Sequence, residues 1–592
     1  MAWDTLKESI LRELTARVDS KGEKTHRDWL HHLSKVFFGR FAGEDLRGRS
    51  VENIYGCLYG LLHFIQNRSD DEPRARIFNP ELSAHGWESK NTVIVILCRD
   101  MRFSTSSIRG ELNRRGIRVH TVASCNLAVT RDEQGDLTHI LNGDDTTDAA
   151  EASRESLIYF EIGRHSNLEN LEELRDTLCE ILTEVAVVID DFPAMQERLA
   201  ECITVINTST CVNAESRDEA EAFIRWLAHD HMTFQGYEYL EVSRSGAEIR
   251  TQVNDKASLG LLGLHSSSGV RDLKTDIQAC SSEELQNKQL SFSKSLKRSR
   301  VHRQTYPDYI DVKVYDTAGE VIGQHRFIGL YTFGVYSMSP DLIPILRRKV
   351  EKVMAMSDLD DAEHEGRELA RVLETFPRDE LFQSSVLELY STAHAINQIR
   401  ERPQTRLFVR KDIHGKFFNC LIYIPRDSYN TELRIVIQDI LTKEFGAEAS
   451  EFTTQFSESI LVRCHFVLRV DPAAELTYKT NEIEEQIVQA TLSWEDRLRI
   501  RLIEEFGEES GESYIRHLGQ GFPPGYRDDF DPRIAVLDIK KFQCLIDGEE
   551  VAMSLYRLLE ESDEMLRLRL YHRGASLPLS DILPILENLG LR

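Results

Sequence analysis

Three short stretches place charged or hydroxyl side chains where an apolar strand runs into a helix. The first is Asp100-Met101-Arg102-Phe103-Ser104, after the apolar run at 93–97. The second is Arg426-Asp427-Ser428-Tyr429-Asn430-Thr431, after 416–424, and the third is His572-Arg573-Gly574, after 565–571. A strand-to-helix turn presents unpaired backbone N–H groups and the positive end of the helix dipole, which suits a carboxylate. Asp100, Arg102 and Ser104, then Arg426, Asp427, Asn430 and Thr431, then His572, Arg573 and Gly574 are the candidate ligand-binding residues. Asp427 can hold an α-ammonium group while Arg426 or the helix end holds the carboxylate, which makes a free amino acid the fitting ligand. A second reading needs no ligand. Asp427 and Asn430 cap the helix, Arg426 pairs across the sheet, and capping alone accounts for these residue types.

Other groupings carry less chemistry. Binding a dinucleotide takes a glycine-rich turn at a helix N-terminus. The Gly519-Gln520-Gly521 triplet follows no apolar parallel strand and runs into Phe522-Pro523-Pro524-Gly525, so it reads as a loop. No Gly-Gly pair occurs either, so the chain offers no other glycine-rich loop of that kind. No catalytic residue, no cofactor site and no Rossmann domain are expected within these residues. His31-His32 sit in a helix, where adjacent side chains point apart and cannot share a metal. His229-Asp230-His231 reads as a helix end, and Asp190-Asp191 and 358–361 as solvated charge runs, so no metal is expected. His302, Arg303, Tyr306 and Asp308 read either as pocket lining or as a structural hydrogen-bond cluster. The basic set Lys294, Lys297, Arg298, Arg300 and Arg303 reads as a solvated sheet edge.

The bulk composition narrows the class. Hydrophobic residues at 41% and charged residues at 29% describe a globular chain rather than a disordered one. Its net charge of -26 repels phosphate backbones and anionic lipid, so neither nucleic acid nor membrane is an expected partner. No stretch approaches the roughly 20 apolar residues that cross a bilayer. The acidic start lacks the apolar core of a secretory signal. Ten cysteines are scattered without a Cys-x-x-Cys pair, which suggests a reduced, cytoplasmic protein.

Periodicity places the elements that must position the turns. Residues 1–88 read as helical. The segment 89–207 alternates strand, helix, strands at 118–130 and 136–141, a strand at 157–163 and a long helix, an open α+β sandwich. The segment 208–357 holds five or more antiparallel strands, with a helix at 217–229 before them and one at 341–354 after, and suggests a PAS-like sensor domain. An acidic helical connector follows at 358–402. The segments 403–471 and 548–592 repeat one another as a hairpin leading into a helix that stops at a glycine. Between them, 472–547 reads as a connector containing one long helix, with Leu476, Ile483, Ile487, Trp494, Leu498 and Leu502 near heptad spacing. The last repeat holds only the first half of the earlier one, which suggests a truncated module and a longer natural protein.

Several gapless stretches resemble the amino-terminal region of the large bacterial NAD-specific glutamate dehydrogenases. They are Val301-His302-Arg303 with Tyr309-Ile310-Asp311-Val312, Gly319-Glu320-Val321-Ile322-Gly323 through Arg326-Phe327-Ile328-Gly329-Leu330-Tyr331, and Glu374-Thr375-Phe376-Pro377-Arg378-Asp379-Glu380-Leu381-Phe382. Tyr423-Ile424-Pro425-Arg426-Asp427-Ser428-Tyr429-Asn430-Thr431 and Leu579-Ser580-Asp581-Ile582-Leu583-Pro584 belong with them. The resemblance implies ACT-like, ferredoxin-type βαβ modules at 89–207, 403–471 and 548–592, joined by helical segments and ahead of a separate C-terminal catalytic domain. It implies a family that oxidises L-glutamate with NAD to 2-oxoglutarate and ammonia, forms homo-oligomers and in some members responds to amino acids. Within it, this chain is expected to regulate and to self-associate, with NAD bound elsewhere in the full-length enzyme. A stand-alone amino-acid sensor that modulates a partner is the alternative. One departure stands out: where the family reads Asp-Met-Pro-Phe-Leu-Val-Asp, this chain has Arg102 for the proline and Ser106 for the last acid.

Overall fold

The computed structural model describes every residue except 1, 22–25, 69–71, 142–151, 210–211, 246–247, 255–256, 267–288, 360–362, 400–401, 475–476, 557–566, 575–576 and 589–592. The expected stops at Gly590 and the contribution of Leu476 therefore lie outside the described residues. The chain forms two compact units, one of Met1–Gln398 with Asp412–Lys416, the other of Ile399–Lys411 with Phe417–Arg592.

The first unit opens with helices α1 (Ala2–Lys21), α2 (Arg27–Leu33) and α3 (Val51–Ile65). A strand that the sequence reading took as helix follows, β1 (Arg74–Phe78). Its alternation of Arg74 and Arg76 with the packed Ala75 and Ile77 spans only five residues, too few to stand out. Then come β2 (Thr92–Arg99), α4 (Ser104–Arg114), β3 (Val119–Arg131), β4 (Leu137–Ile140), β5 (Ser153–Ile162) and α5 (Leu168–Asp190). The sheet runs β1-β2-β5-β3-β4 with every pair antiparallel. Thus β2, α4 and β3 make a βαβ unit split by β5. Both faces of the sheet are buried. Val93, Val95 and Leu97 join the core under α1 to α3, while Ile94, Ile96 and Cys98 pack beneath α4 and α5. A strand covered on two sides needs continuous apolar residues, which is why β2 shows no alternation.

Two helices, α6 (Phe192–Thr208) and α7 (Ala214–Trp226), lead into a second sheet. Its strands are β6 (Met232–Ser245), β7 (Glu248–Val253), β8 (Leu290–Lys294), β9 (Asp308–Tyr315) and β10 (Val321–Tyr331), and α8 (Gly260–Ser266) lies between β7 and β8 in sequence. The order is β7-β6-β10-β9-β8, antiparallel throughout. One face is aromatic: Phe292 meets Phe223 of α7, and Phe234 meets Phe327. The other carries Arg326, whose register neighbours Asp311 and Glu238 both lie within ion-pair distance of its guanidinium, 2.8 and 3.8 Å away. The closing helix differs from expectation. It begins at Leu346 as α9 (Leu346–Ser357), because Pro344 interrupts the run and Ile345 takes a φ of 71°. Leu342, within the span expected to be helix, lies outside α9 and is 67% exposed. The connector forms α10 (His364–Thr375), α11 (Arg378–Gln383) and α12 (Val386–Ile399).

The second unit contains β11 (Arg406–Lys411), β12 (Phe417–Pro425), α13 (Thr431–Glu444), β13 (Ala449–Gln455) and β14 (Leu461–Arg469). The sheet order is β11-β12-β14-β13, again antiparallel. Strand for strand this is β1-β2-β5-β3 of the first unit, without the β4 extension. The single long helix expected next is instead two, α14 (Thr480–Thr491) and α15 (Trp494–Phe506). Ser493 divides them by accepting from the Asp496 N–H while Asp496 accepts from the Ser493 N–H, a capping box. Ile483 and Ile487 then complete the core over β12 and β14. Leu498 and Leu502 pack with Ala535, Val536 and Ile539 of α16 (Pro532–Ile546). A two-stranded sheet, β15 (Val551–Tyr556) with β16 (Arg567–His572), precedes α17 (Leu579–Asn588). This hairpin and helix follow the order of β11, β12 and α13.

Candidate functional site: three strand-to-helix turns

At the first turn the chain leaves β2 and enters α4 through Phe103, whose φ of 71° is left-handed. No side chain caps this helix, although Ser104, Thr105, Ser106 and Ser107 stand at its start. The serine hydroxyls donate backwards instead: Ser104 Oγ to the Met101 carbonyl at 3.1 Å, and Ser106 and Ser107 Oγ to the Phe103 carbonyl at 3.0 and 2.8 Å. Left-handed backbone at Phe103 turns its carbonyl towards the first turn, where those hydroxyls reach it. Asp100 accepts from Ser156 Oγ at 3.1 Å, Ser104 is buried, and Arg102 is exposed. The turn is covered from within the unit by residues 299–305. The His302 ring packs at a tilt against Phe103 with centroids 4.6 Å apart, and the His302 backbone N–H donates to Ser107 Oγ at 2.8 Å.

The second turn is open. Arg426, Asp427, Asn430 and Thr431 are exposed, and the Arg426 N–H donates to the Ile460 carbonyl at 2.8 Å. Asn430 Oδ1 accepts from the Leu433 N–H at 2.8 Å and so caps α13. At the third turn, His572, Arg573 and Gly574 are exposed, and Gly574 adopts a φ of 106° that side chains with a Cβ resist. The three turns occupy matching positions in three like-ordered segments.

The groupings given less weight resolve into structural roles, one with a correction. Only part of the basic set is a solvated edge: Lys297 and Arg298 are exposed, whereas Lys294, Arg300 and Arg303 are paired within the fold. Lys294 is buried between Asp308 at 3.0 Å and Asp379 at 2.9 Å, Arg300 pairs with Glu184, Arg303 donates to the Tyr331 carbonyl, and Arg298 lies over the Tyr306 ring. The partners come from distant segments, which no local pattern announces. Burial alone would lower the Lys294 pKa, yet Asp308 and Asp379 raise it well above its ordinary value, so the ammonium is retained. Burial pushes Asp308 up, Lys294 pulls it down and Asp379 adds to the rise, leaving it at about 7. His229 and His231 bond the carbonyls of Arg225 and Trp226 at a helix end, and His31 pairs with Asp19. Among the described residues no group of His, Cys, Asp and Glu could hold a metal ion, and no helix is long and apolar enough to cross a membrane. Sequence reasoning missed the buried Asp538, which accepts from Tyr526, Tyr571 and Arg569. Its signal was slight, one acid on the inward stripe of α16.

Glutamate dehydrogenase domain models match the chain along most of its length. The ACT1 domain matches residues 33–178, helical motif 1 matches 343–402, the ACT2 domain 406–495, helical motif 2 501–545 and the ACT3 domain 550–592. The ACT1 match takes in α3 and β1 together with the sheet. The NAD-specific glutamate dehydrogenase of Halomonas elongata is 40% identical over 586 residues, 98% of this chain and 36% of that protein. That of Pseudomonas aeruginosa is 39% identical over 562 residues, 95% and 34% of the two, and that of Mycobacterium tuberculosis 30% over 446 residues, 72% and 26%. The chain thus spans 36% or less of each of these relatives. Among solved structures, a fragment of PelD from Pseudomonas aeruginosa aligns over 67% of this chain and 98% of that one at 13% identity, but its TM-score of 0.12 bears no weight.

Proposed function

Since this chain belongs to the family of NAD-specific glutamate dehydrogenases, we propose that it is the family's amino-terminal regulatory and oligomerisation region, non-catalytic by itself. The observation that carries the reading is the repeated split βαβ sheet, β1-β2-β5-β3 and β11-β12-β14-β13. A repeated binding scaffold serves recognition, whereas hydride transfer needs one crevice for cofactor and substrate together. In the whole enzyme NAD and L-glutamate would meet in a C-terminal catalytic domain, yielding 2-oxoglutarate, ammonia and NADH. This region would bind a regulatory amino acid and hold copies of the protein together. The second sheet, with its first and last strands central, supports a PAS-like sensor module beside the ACT modules. Free thiols at Cys57, Cys98, Cys125, Cys202, Cys420 and Cys464 support a reducing, cytoplasmic setting.

Of the turns, 426–431 is the best ligand site. Arg426 and Asp427 offer opposite charges side by side at the open end of α13, and Asn430 already satisfies one helix N–H. The turn at 100–104 lies under His302. Thermal-shift titration of the chain with the twenty amino acids tests this. One amino acid is expected to stabilise the fold, by about 2.7 kcal/mol at a hundredfold excess over its Kd, and Asp427→Asn is expected to abolish the effect while leaving the unliganded melting temperature unchanged. No shift with any amino acid would overturn the sensing role. Measurable NAD-dependent oxidation of glutamate by the chain would overturn the regulatory one.

A further inference from the structure

Three of the stretches that carry the family resemblance meet at one place in the first unit. Val301-His302-Arg303 lies between the β2–α4 turn and the end of β10, which closes the stretch ending in Leu330-Tyr331. The end of β10 in turn touches the Glu374 to Phe382 stretch. The contacts form a continuous series. The Phe103 and His302 rings meet at a tilt of 44° with centroids 4.6 Å apart, and Ser106 Oγ lies 3.3 Å from His302 Nδ1. Ser107 Oγ links the two backbones, accepting from the His302 N–H and donating to the Phe103 carbonyl, each at 2.8 Å. The next residue, Arg303, donates to the carbonyl of Tyr331. The Tyr331 ring lies flat on Phe382 of α11, with centroids 4.8 Å apart and planes 10° from parallel. Further contacts fix α11 from both ends. Arg378 donates to the carbonyls of Met338, Glu374 and Phe376, while Lys349 Nζ donates to those of Leu381, Phe382 and Ser384.

Strain marks the start of this series. Phe103 and His302 have φ of 71° and 69°, and they are the two left-handed non-glycine residues that face one another. Each such conformation costs free energy and persists only where its surroundings enforce it, so two in contact hold each other in place. A change at the turn that freed Phe103 would remove the support of His302 and, through Arg303, shift the end of β10.

We propose that residues 299–305 are a relay that couples the β2–α4 turn to the connector helix α11. The turn and the connector then share one equilibrium, so that whatever moves the first reaches the second. This holds whether or not an amino acid binds at the turn, and it stands apart from the ligand site at 426–431.

Amide hydrogen exchange on the full chain tests the relay. Asn tolerates left-handed backbone better than other side chains with a Cβ, so His302→Asn and Phe103→Asn each remove the ring pair while keeping the fold. Each is expected to speed exchange at 329–332 and 378–384 by about two- to tenfold, the range for loss of one aromatic pair. Amides of α1 to α3, packed on the other face of the first sheet, should not change. The double variant should do no more than either single one, because both break the same link. Acceleration confined to 100–108 and 299–305, no acceleration, or a double variant whose effect is the product of the singles overturns the relay.

Discussion

Glu161 shows how one side chain ties the helical layer to the sheet. It sits on β5 with its carboxylate buried, accepting from Arg49 Nη1 at 2.7 Å, the Tyr159 hydroxyl at 2.7 Å and Asn91 Nδ2 at 3.1 Å. Burial alone would raise its pKa, but the bonds from Arg49, Tyr159 and Asn91 outweigh that and bring it below the usual 4.5. A folded-state pKa that is depressed contributes stability above the unfolded value, and that stability is lost as pH falls through the folded one. Glu161→Gln keeps the shape and loses the charge. At about pH 7 the variant should be less stable by about 1–3 kcal/mol, the cost of spoiling a buried charged hydrogen bond. Below about 4.5 the gap should close as the wild-type carboxylate takes up a proton. Urea denaturation midpoints at a series of pH values check this, and a gap independent of pH would contradict the charge-based account.

The β15–β16 hairpin is held by one of its faces. Ala552 and Tyr571 look towards α16, where the Tyr571 hydroxyl and Arg569 both donate to the buried Asp538. The other face sets Val551, Met553 and Leu555 outward, 47%, 61% and 60% exposed. A lone two-stranded hairpin is marginal in water, so its order depends on that acid. Asp538→Ala strands Arg569 and both tyrosine hydroxyls, a cost on the order of 3–5 kcal/mol for breaking a buried charged network. Exchange of the β15 and β16 amides should rise steeply while β11 to β14 keep their protection, and unchanged protection in the hairpin would show that apolar packing alone holds it. Much of this arrangement was legible in the sequence. The apolar run of β2, the Gly135 turn and the hairpin-then-helix repeat are local patterns, and each appears where its pattern lies. The break at Ser493 and the late start of α9 after Pro344 were also written locally, as a Ser-x-x-Asp box and a proline, but heptad spacing concealed the first. Strand order, the partners of Lys294 and the cover that His302 puts over the first turn were not legible. They depend on contacts between segments far apart in sequence, which no period or spacing encodes.

The self-association proposed for this region must overcome the chain's own charge. At a net charge of -26, two copies repel one another at every approach. Attraction has to come from apolar surface, and the β13 side of the β11-β12-β14-β13 sheet supplies some: Phe452, Phe456 and Ile460 are 44%, 56% and 44% exposed. Salt shortens the reach of the repulsion, from about 30 Å at 0.01 M to about 3 Å at 1 M, while leaving apolar contact undiminished. The larger species seen by sedimentation velocity should therefore gain at the expense of the smaller as salt rises from about 0.05 to 0.5 M. An interface built on ion pairs between copies would behave oppositely and dissociate over the same range. Phe456→Glu separates the two cases further. It adds like charge to the apolar edge and should weaken association most at low salt, where the repulsion it adds is least screened.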